Sequence, residues 1–325
     1  MHGVDLPRPQ LTMDLGSFSA VDPCILRDLR ERALLYDRAG IDRLTVSDHV
    51  VFGEDLPEYG RREIGGHAGG LQPTGPDGHW LEPLTTLTYV AGFTNHVRLA
   101  TNILLAALRR PVVLAKSAAT LDVLSGGRLD LGVGVGWQAA EYQAAGLPLK
   151  GRGELLEHTL DVCRALWTEP VASHQSANLS FHRIHMMPKP VQPGGVPIWV
   201  SGTVNKRVVA RVARYGAGWI PSGAAAADIG AGIREMKTGI EQAGGDPIDL
   251  QVAAGLPAIR NSKGDFDVAA TMDQVGHMAE SGATDLRLRI ALPRDPEEAL
   301  ESLRDTVLAF RKAAGRTDQL PALSR

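Results

Sequence analysis

Ser47-Asp48-His49 sets a hydroxyl, a carboxylate and an imidazole side by side, a combination able to accept hydrogen bonds and to give or take a proton near neutral pH. Alone the pair Asp48-His49 has little specificity, because an aspartate after a strand often only caps the next turn. Ser201-Gly202-Thr203 is a second polar step. Its two hydroxyls and the N–H groups of a helix starting just after it would converge on an anion, with Lys206 and Arg207 adding charge; a plain Ser/Thr N-cap accounts for the same residues equally well. Gly132-x-Gly134-x-Gly136 resembles half of a dinucleotide fingerprint, but Trp137 stands where the third glycine belongs. Those glycines are better read as room for a planar ligand. Trp80 and Trp137 are placed to form an aromatic wall beside such a ligand. Ser125-Gly126-Gly127-Arg128 looks like a phosphate loop but enters a strand from a helix, so it reads as a glycine C-cap and tight turn. The histidines His67, His79, His174, His182 and His185 show neither i,i+4 nor HExxH spacing, and no metal site is expected. Ser173, Ser176, Ser180 and Ser201 lie in no Gly-x-Ser-x-Gly elbow, which leaves a hydrolase nucleophile without support.

The elements that must carry these groups follow from the switching period of the hydrophobic pattern. Strands are expected at 4–6, 41–46, 97–104, 128–135, 197–200, 218–221, 250–254 and 285–290. Helices are expected at 23–39 (capped by Asp22, with Pro23 first and Gly40 closing it), 81–94, 111–124, 153–167, 204–215, 225–243, 268–281 and 296–314. Eight β-then-α units imply parallel strands and right-handed crossovers, and so an α/β fold, a (β/α)8 TIM barrel occupying 1–325 as a single domain; an open doubly wound sheet is the alternative. Two stretches interrupt the alternation: about 50–80 after strand two, and about 169–195 before strand five. Insertions of that size tend to be lids or hairpins, and the glycines Gly60, Gly65, Gly66, Gly69, Gly70, Gly75 and Gly78 predict a mobile cover. In such a barrel chemistry sits where strands end. Ser47-Asp48-His49, Thr101-Asn102, Gly134 to Trp137 and Ser201-Gly202-Thr203 would then share one rim.

Bulk composition narrows the partners. A net charge of −3 and a pI near 6.4 advertise neither nucleic acid nor an anionic membrane. Cys24 and Cys163 sit in expected helices at no metal spacing, as thiols of a reducing compartment would. No signal peptide is visible at Met1-His2-Gly3-Val4-Asp5, and no apolar run approaches the roughly 20 residues of a membrane span. A cytoplasmic enzyme acting on a small molecule is the expectation.

Taken together and in order, several segments carry a resemblance: Thr45-Val46-Ser47-Asp48-His49, Arg98-Leu99-Ala100-Thr101-Asn102-Ile103-Leu104, Arg109-Arg110-Pro111-Val112-Val113-Leu114-Ala115-Lys116, Leu121-Asp122-Val123-Leu124-Ser125-Gly126-Gly127-Arg128, Leu131-Gly132-Val133-Gly134-Val135-Gly136-Trp137, Pro188-Lys189-Pro190-Val191-Gln192 and Pro197-Ile198-Trp199-Val200-Ser201-Gly202. From about residue 3 to 312 the chain is similar to the bacterial luciferase-like monooxygenase superfamily, and within it to the coenzyme F420-dependent oxidoreductases. The resemblance implies a deazaflavin in the barrel mouth and hydride transfer between its C5 and a small organic substrate. An FMN-dependent monooxygenase using oxygen, and a non-catalytic flavin- or F420-binding protein, are the alternatives. By the same resemblance His49 is the catalytic proton donor or charge stabiliser and Asp48 contacts the cofactor. Thr101, Asn102 and Ile103 form a bulge, often with a non-prolyl cis peptide, behind the cofactor ring. Trp137 lines the ring, and Ser201, Gly202 and Thr203 hold the phosphate. Many relatives are homodimers.

The sequence also departs from its relatives. Trp137 replaces the catalytic glutamate of the sugar-phosphate dehydrogenases, which argues against a glucose 6-phosphate reaction and leaves Glu141, one turn on, as the nearest acid. Gly216-Ala217-Gly218-Trp219 lacks the aspartate of the common Gly-Asp-Gly-Trp segment.

Overall fold

The computed structural model describes residues 9–20, 25–60 and 72–322. Within them eight strands alternate with helices: β1 (Gln10–Asp14), α1 (Ile25–Ala39), β2 (Arg43–Val46), α2 (Pro83–Ala91), β3 (Arg98–Thr101), α3 (Pro111–Leu124), β4 (Leu129–Val133), α4 (Ala139–Ala144), α5 (Arg152–Thr168), β5 (Ile198–Gly202), α6 (Lys206–Tyr215), β6 (Gly216–Pro221), α7 (Ala224–Ala227), α8 (Ile229–Gln242), β7 (Gln251–Leu256), α9 (Val268–Glu280), β8 (Asp285–Leu288) and α10 (Pro296–Ala313). Each strand pairs in parallel with the next, and β8 pairs with β1. Closure excludes the open doubly wound sheet. The strand expected at 4–6 and the cap Asp22-Pro23 lie outside the described residues, as do Cys24, His67 and the glycines Gly65 to Gly70 of the expected cover. The helix expected at 225–243 is broken at Asp228, whose carboxylate accepts from Ala231 N (3.0 Å) and caps α8.

The strands hold two sets of side chains by their period of two. Leu44, Val46, Leu99, Leu129, Leu131 and Val133 are fully buried and belong to the core between sheet and helices. The alternate set faces the lumen and is polar. Arg43 bonds Asp130 of β4 (Nε–Oδ2 2.9 Å) and pairs with Asp285 of β8, neither strand being a neighbour of β2; only a side chain crossing the lumen reaches both. Its guanidinium lies 4.7 Å from the Trp199 ring of β5. Arg98 adds a bidentate grip on Asp130 at 2.8 Å.

The turn 125–128 is structural, as expected. Gly126 and Gly127 take positive φ, and Arg128 donates to Ser125 O (2.7 Å), Val97 O (2.9 Å) and Thr94 O (2.8 Å). Pro188 to Gln192 is held by Asp122 of α3, which accepts from Val191 N (2.8 Å) and Gln192 Nε2 (2.7 Å). The period analysis did not resolve two antiparallel pairs: His79–Trp80, at the end of the first insertion, with Phe18–Ser19 after β1, and Ala172–Gln175 with Ser180–Ile184 inside the second insertion. The two-residue strands of the first pair are too short to show a period. None of the described helices is long and apolar enough to cross a membrane.

Removing Arg43 would take the hydrogen-bonding cation from buried Asp285 and leave Asp130 to Arg98 alone. Arg43→Met is expected to cost about 3–5 kcal/mol in denaturant-induced unfolding. The acid limb should change too. Burial alone would raise the Asp130 carboxyl, but Arg98 and Arg43 hold it below its ordinary value of 3.8. Its stabilising contribution is therefore present above that value and is lost as pH falls through the lower folded one. Unfolding free energy measured against pH should fall less steeply below about 3.8 in Arg43→Met than in the wild type.

Candidate active site

A cleft of about 980 Å³ opens at the carboxyl ends of the strands. Its floor and walls come from the ends of seven of them and the loops that follow: Asp14 at the end of β1, Ser47-Asp48-His49 after β2, Asn102-Ile103 after β3, Gly134 to Trp137 after β4, Ser201 to Thr203 at the end of β5, Ser222 after β6 and Arg289 after β8. Eight of the nine expected site residues therefore line one cleft. Thr101 does not: it is 1% exposed and its hydroxyl donates to Gly132 O at 2.6 Å, which turns it into the barrel wall.

Asp48 lines the cleft, yet its carboxylate is engaged by protein groups. Oδ2 accepts from Leu105 N (2.8 Å) and Arg109 Nη1 (2.6 Å), and Oδ1 from Arg109 Nη2 (3.1 Å). Arg109 also reaches Glu82 at 2.9 Å. Burial would lower the Arg109 guanidinium, but Asp48 and Glu82 hold it above its ordinary value. Glu82 is held below its own by Thr85 N–H and Arg109 against the opposing effect of burial. Asp48 thus fastens the β2 loop to the segment 102–109.

His49 has the partner that sequence reasoning could not place. Glu141, 2% exposed on α4, brings Oε1 to 3.2 Å from His49 Nδ1 and accepts from Val50 N at 2.8 Å. A carboxylate only accepts, so Nδ1 carries the hydrogen and Nε2 is left to exchange a proton. Gln138 Oε1 accepts from Gly53 N (2.6 Å) and draws the same loop down onto α4. Around the imidazole stand Phe52 (4.4 Å between ring centres), Trp80 (4.8 Å) and Trp137 (6.1 Å).

The peptide Asn102-Ile103 is cis. Asn102 donates its N–H to Val46 O (2.8 Å), and its Oδ1 accepts from Arg287 Nη1 (2.6 Å). The glycines of β4 serve close packing first. A Cβ on Gly132 would lie 2.0 Å from Thr101 O, and one on Gly134 would lie 2.4 Å from Ile103 Cδ1.

At the other end of the cleft the helix cap is Asn205, whose Oδ1 accepts from Arg207 N (3.0 Å) and Val208 N (3.1 Å). The hydroxyls of Ser201 and Thr203 are therefore not spent on capping, and among the described residues neither has a hydrogen-bond partner. Gly202 has φ +153°, and a Cβ there would meet Val208 Cγ2 at 2.8 Å. Arg207, Arg211 and Arg152, the last at the start of α5, line the same end; Lys206 is not among the lining residues. Two helix N-termini and three guanidiniums converge here; Arg211 is held by Glu157 at 2.8 Å, and Arg207 lies 3.9 Å from Glu154, which lines the same end. Arg152 and Arg211 were missed, since nothing local in the sequence ties them to Ser201.

A closed (β/α)8 barrel with a cleft at its carboxyl rim, where His49 meets Glu141, is the class that fold and cleft define. Residues 13–321 match the model of the luciferase-like monooxygenase family, and the chain belongs to that family of oxidoreductases. It is 34% identical over 206 residues to an uncharacterised protein of Mycobacterium tuberculosis, covering 63% of this chain and 68% of the other. It is 28% identical over 282 residues to the F420-dependent glucose-6-phosphate dehydrogenase of Kribbella flavida, covering 86% and 69%. In fold it resembles the oxygenating constituent of 3,6-diketocamphane monooxygenase from Pseudomonas putida, in complex with FMN, with a TM-score of 0.69 at 14% identity over 97% of this chain and 100% of that one.

The tether at Asp48 is testable by a double-mutant cycle. Arg109→Met alone leaves a buried carboxylate without its cation and should destabilise the protein by about 3–5 kcal/mol. Adding Asp48→Asn should recover part of that loss in the same denaturation measurement. Additive losses would contradict the coupling.

Proposed function

We propose that the protein is an F420-dependent oxidoreductase whose cofactor lies across the cleft with its phosphate at Ser201, Gly202 and Thr203. The observation that carries this reading is the pairing, on one rim, of unspent hydroxyls at a helix N-terminus with the His49–Glu141 contact. The residues suit the group. The volume is at the upper end of the roughly 300–1,000 Å³ of small-molecule sites, and a Cβ at Gly202 would close the cradle. Ser201, Thr203, Arg152 and Arg207 would hold the phosphate, and Asn102, Ile103 and Trp137 would border the ring. Bound deazaflavin supplies a hydride donor or acceptor carbon. His49 supplies or receives the accompanying proton at Nε2, and Glu141 orients the imidazole and balances its charge. Asp48 belongs to the cofactor site through the loop that it fastens. The match to an F420-dependent dehydrogenase over most of the chain favours deazaflavin over FMN. Trp137, in place of the sugar-phosphate dehydrogenases' glutamate, favours a substrate other than glucose 6-phosphate. A homodimer and a cytoplasmic location belong to the same proposal; exposed Tyr89, Val113 and Leu124 on α2 and α3 are the apolar surface a second copy would cover.

Purified protein titrated with oxidised F420 and with FMN, followed by tryptophan quenching, tests the assignment. F420 should bind, and Ser201→Ala with Thr203→Val should weaken it about 10- to 100-fold, the value of a hydrogen bond or two to a charged group. Against a panel of ketones and secondary alcohols His49→Ala should lower kcat about 10²- to 10⁴-fold. Tight binding of FMN with none of F420 would favour the flavin alternative, and turnover of no substrate by the wild type would favour a binding protein.

A further inference from the structure

We propose that the aromatic half of the cleft seats the substrate, and that it takes a planar, uncharged ring rather than a phosphorylated compound. The inference rests on the cofactor reading above, because it assigns to the substrate what the cofactor leaves. The cleft is divided by chemistry. Of its cationic side chains, Arg152, Arg207 and Arg211 gather at the Ser201–Thr203 end, and Arg289 stands after β8, where it acts electrostatically on Asp14. Around His49 the walls are aromatic and come from separate segments. Phe18 stacks on Trp80 at 4.2 Å and 15°. Trp80 presents its edge to His49 at 87°, and Tyr59 meets Trp137 edge-on at 5.3 Å. Trp80 lines the cleft and is fixed through its polar edge, since Nε1 donates to Thr74 Oγ1 (3.0 Å). Burial pushes the Tyr59 phenol above its ordinary value, which keeps it neutral.

Two described cations, Arg109 and Arg289, border this half, and both face carboxylates. Arg109 is consumed by Asp48 and Glu82, and Glu141 and Asp48 would repel a phosphate. Arg289 lines the cleft and acts electrostatically on Asp14. Aromatic faces and edges reward a flat ring by about 0.5–1.5 kcal/mol for each contact beyond simple burial, and His49 stands among them as the proton donor that Glu141 orients. The seat therefore selects a flat ring that presents an oxygen to His49.

Calorimetry on protein already saturated with F420, or with FMN if that alone binds, tests this with 2-naphthol as the probe ring and glucose 6-phosphate as the charged competitor. Naphthol should bind the loaded protein. Trp80→Ala and Phe18→Ala should each weaken it about tenfold, the size of one or two aromatic contacts, while Trp80→Phe should keep most of the affinity. Thermal melts of the three variants check their folding. Glucose 6-phosphate should not displace naphthol. Naphthol that competes with the cofactor would overturn the proposal and give the aromatic half to the cofactor ring, with the cofactor reading intact. Displacement by glucose 6-phosphate, or affinity indifferent to all three aromatic variants, would overturn it as well. Failure of both cofactors to bind would remove the cofactor reading itself and this inference with it.

Discussion

Arg43 stands in the barrel lumen with Asp130 and Asp285 on either side and Trp199 against its face. Burying charge is costly, and such a set holds only when each member is paired and hydrogen-bonded. Here the pairing ties β2 to β4 and β8, strands that make no ladder with it, so the closed sheet is braced across its diameter. Arg98 shares Asp130, and Arg287 lies 3.6 Å from Asp285. Arg287 is also the link upward, because its Nη1 holds Asn102 at the floor of the cleft. The polar lumen and the candidate site are joined by hydrogen bonds and by the Arg287–Asp285 ion pair.

Above that floor, two buried carboxylates do the positioning. Asp48 pins the loop after β2 to the segment following Ile103, and Glu141 pins the next turn of the same loop to α4. Between these anchors His49 has little freedom, which suits a group required to meet a reacting atom at one place. The division of labour differs from the simplest reading of the Asp48-His49 pair. Its aspartate acts through the backbone and Arg109, and the acid touching the histidine comes from elsewhere in the chain.

Much of this fold was legible from the pattern of residues. Helix 111–124 was bounded to the residue, because proline opens it and two glycines follow it. The first strand was sought at 4–6, whereas β1 is Gln10–Asp14. In that strand Gln10, Thr12 and Asp14 alternate with Leu11 and Met13, so a polar lumen disguises a buried strand. The rim residues were legible because strand ends are. Their partners were not. Glu141 lies 92 residues from His49, and Arg109 lies 61 from Asp48. Only the closed barrel brings them together, and no local spacing encodes the contact. Asn205 shows the limit on a smaller scale: which of three neighbouring polar residues caps α6 depends on backbone geometry, and the answer released Ser201 and Thr203 for a ligand.

In the proposed function one cleft holds a phosphate at Ser201–Thr203 and a reactive ring within reach of His49. A crystal structure of the protein soaked with oxidised F420 would show both. Phosphate density is expected within hydrogen-bonding distance of the Ser201 and Thr203 hydroxyls, and ring density against Ile103 on the His49 side of the cleft. Phosphate density anywhere else, with those two hydroxyls untouched, would overturn the assignment.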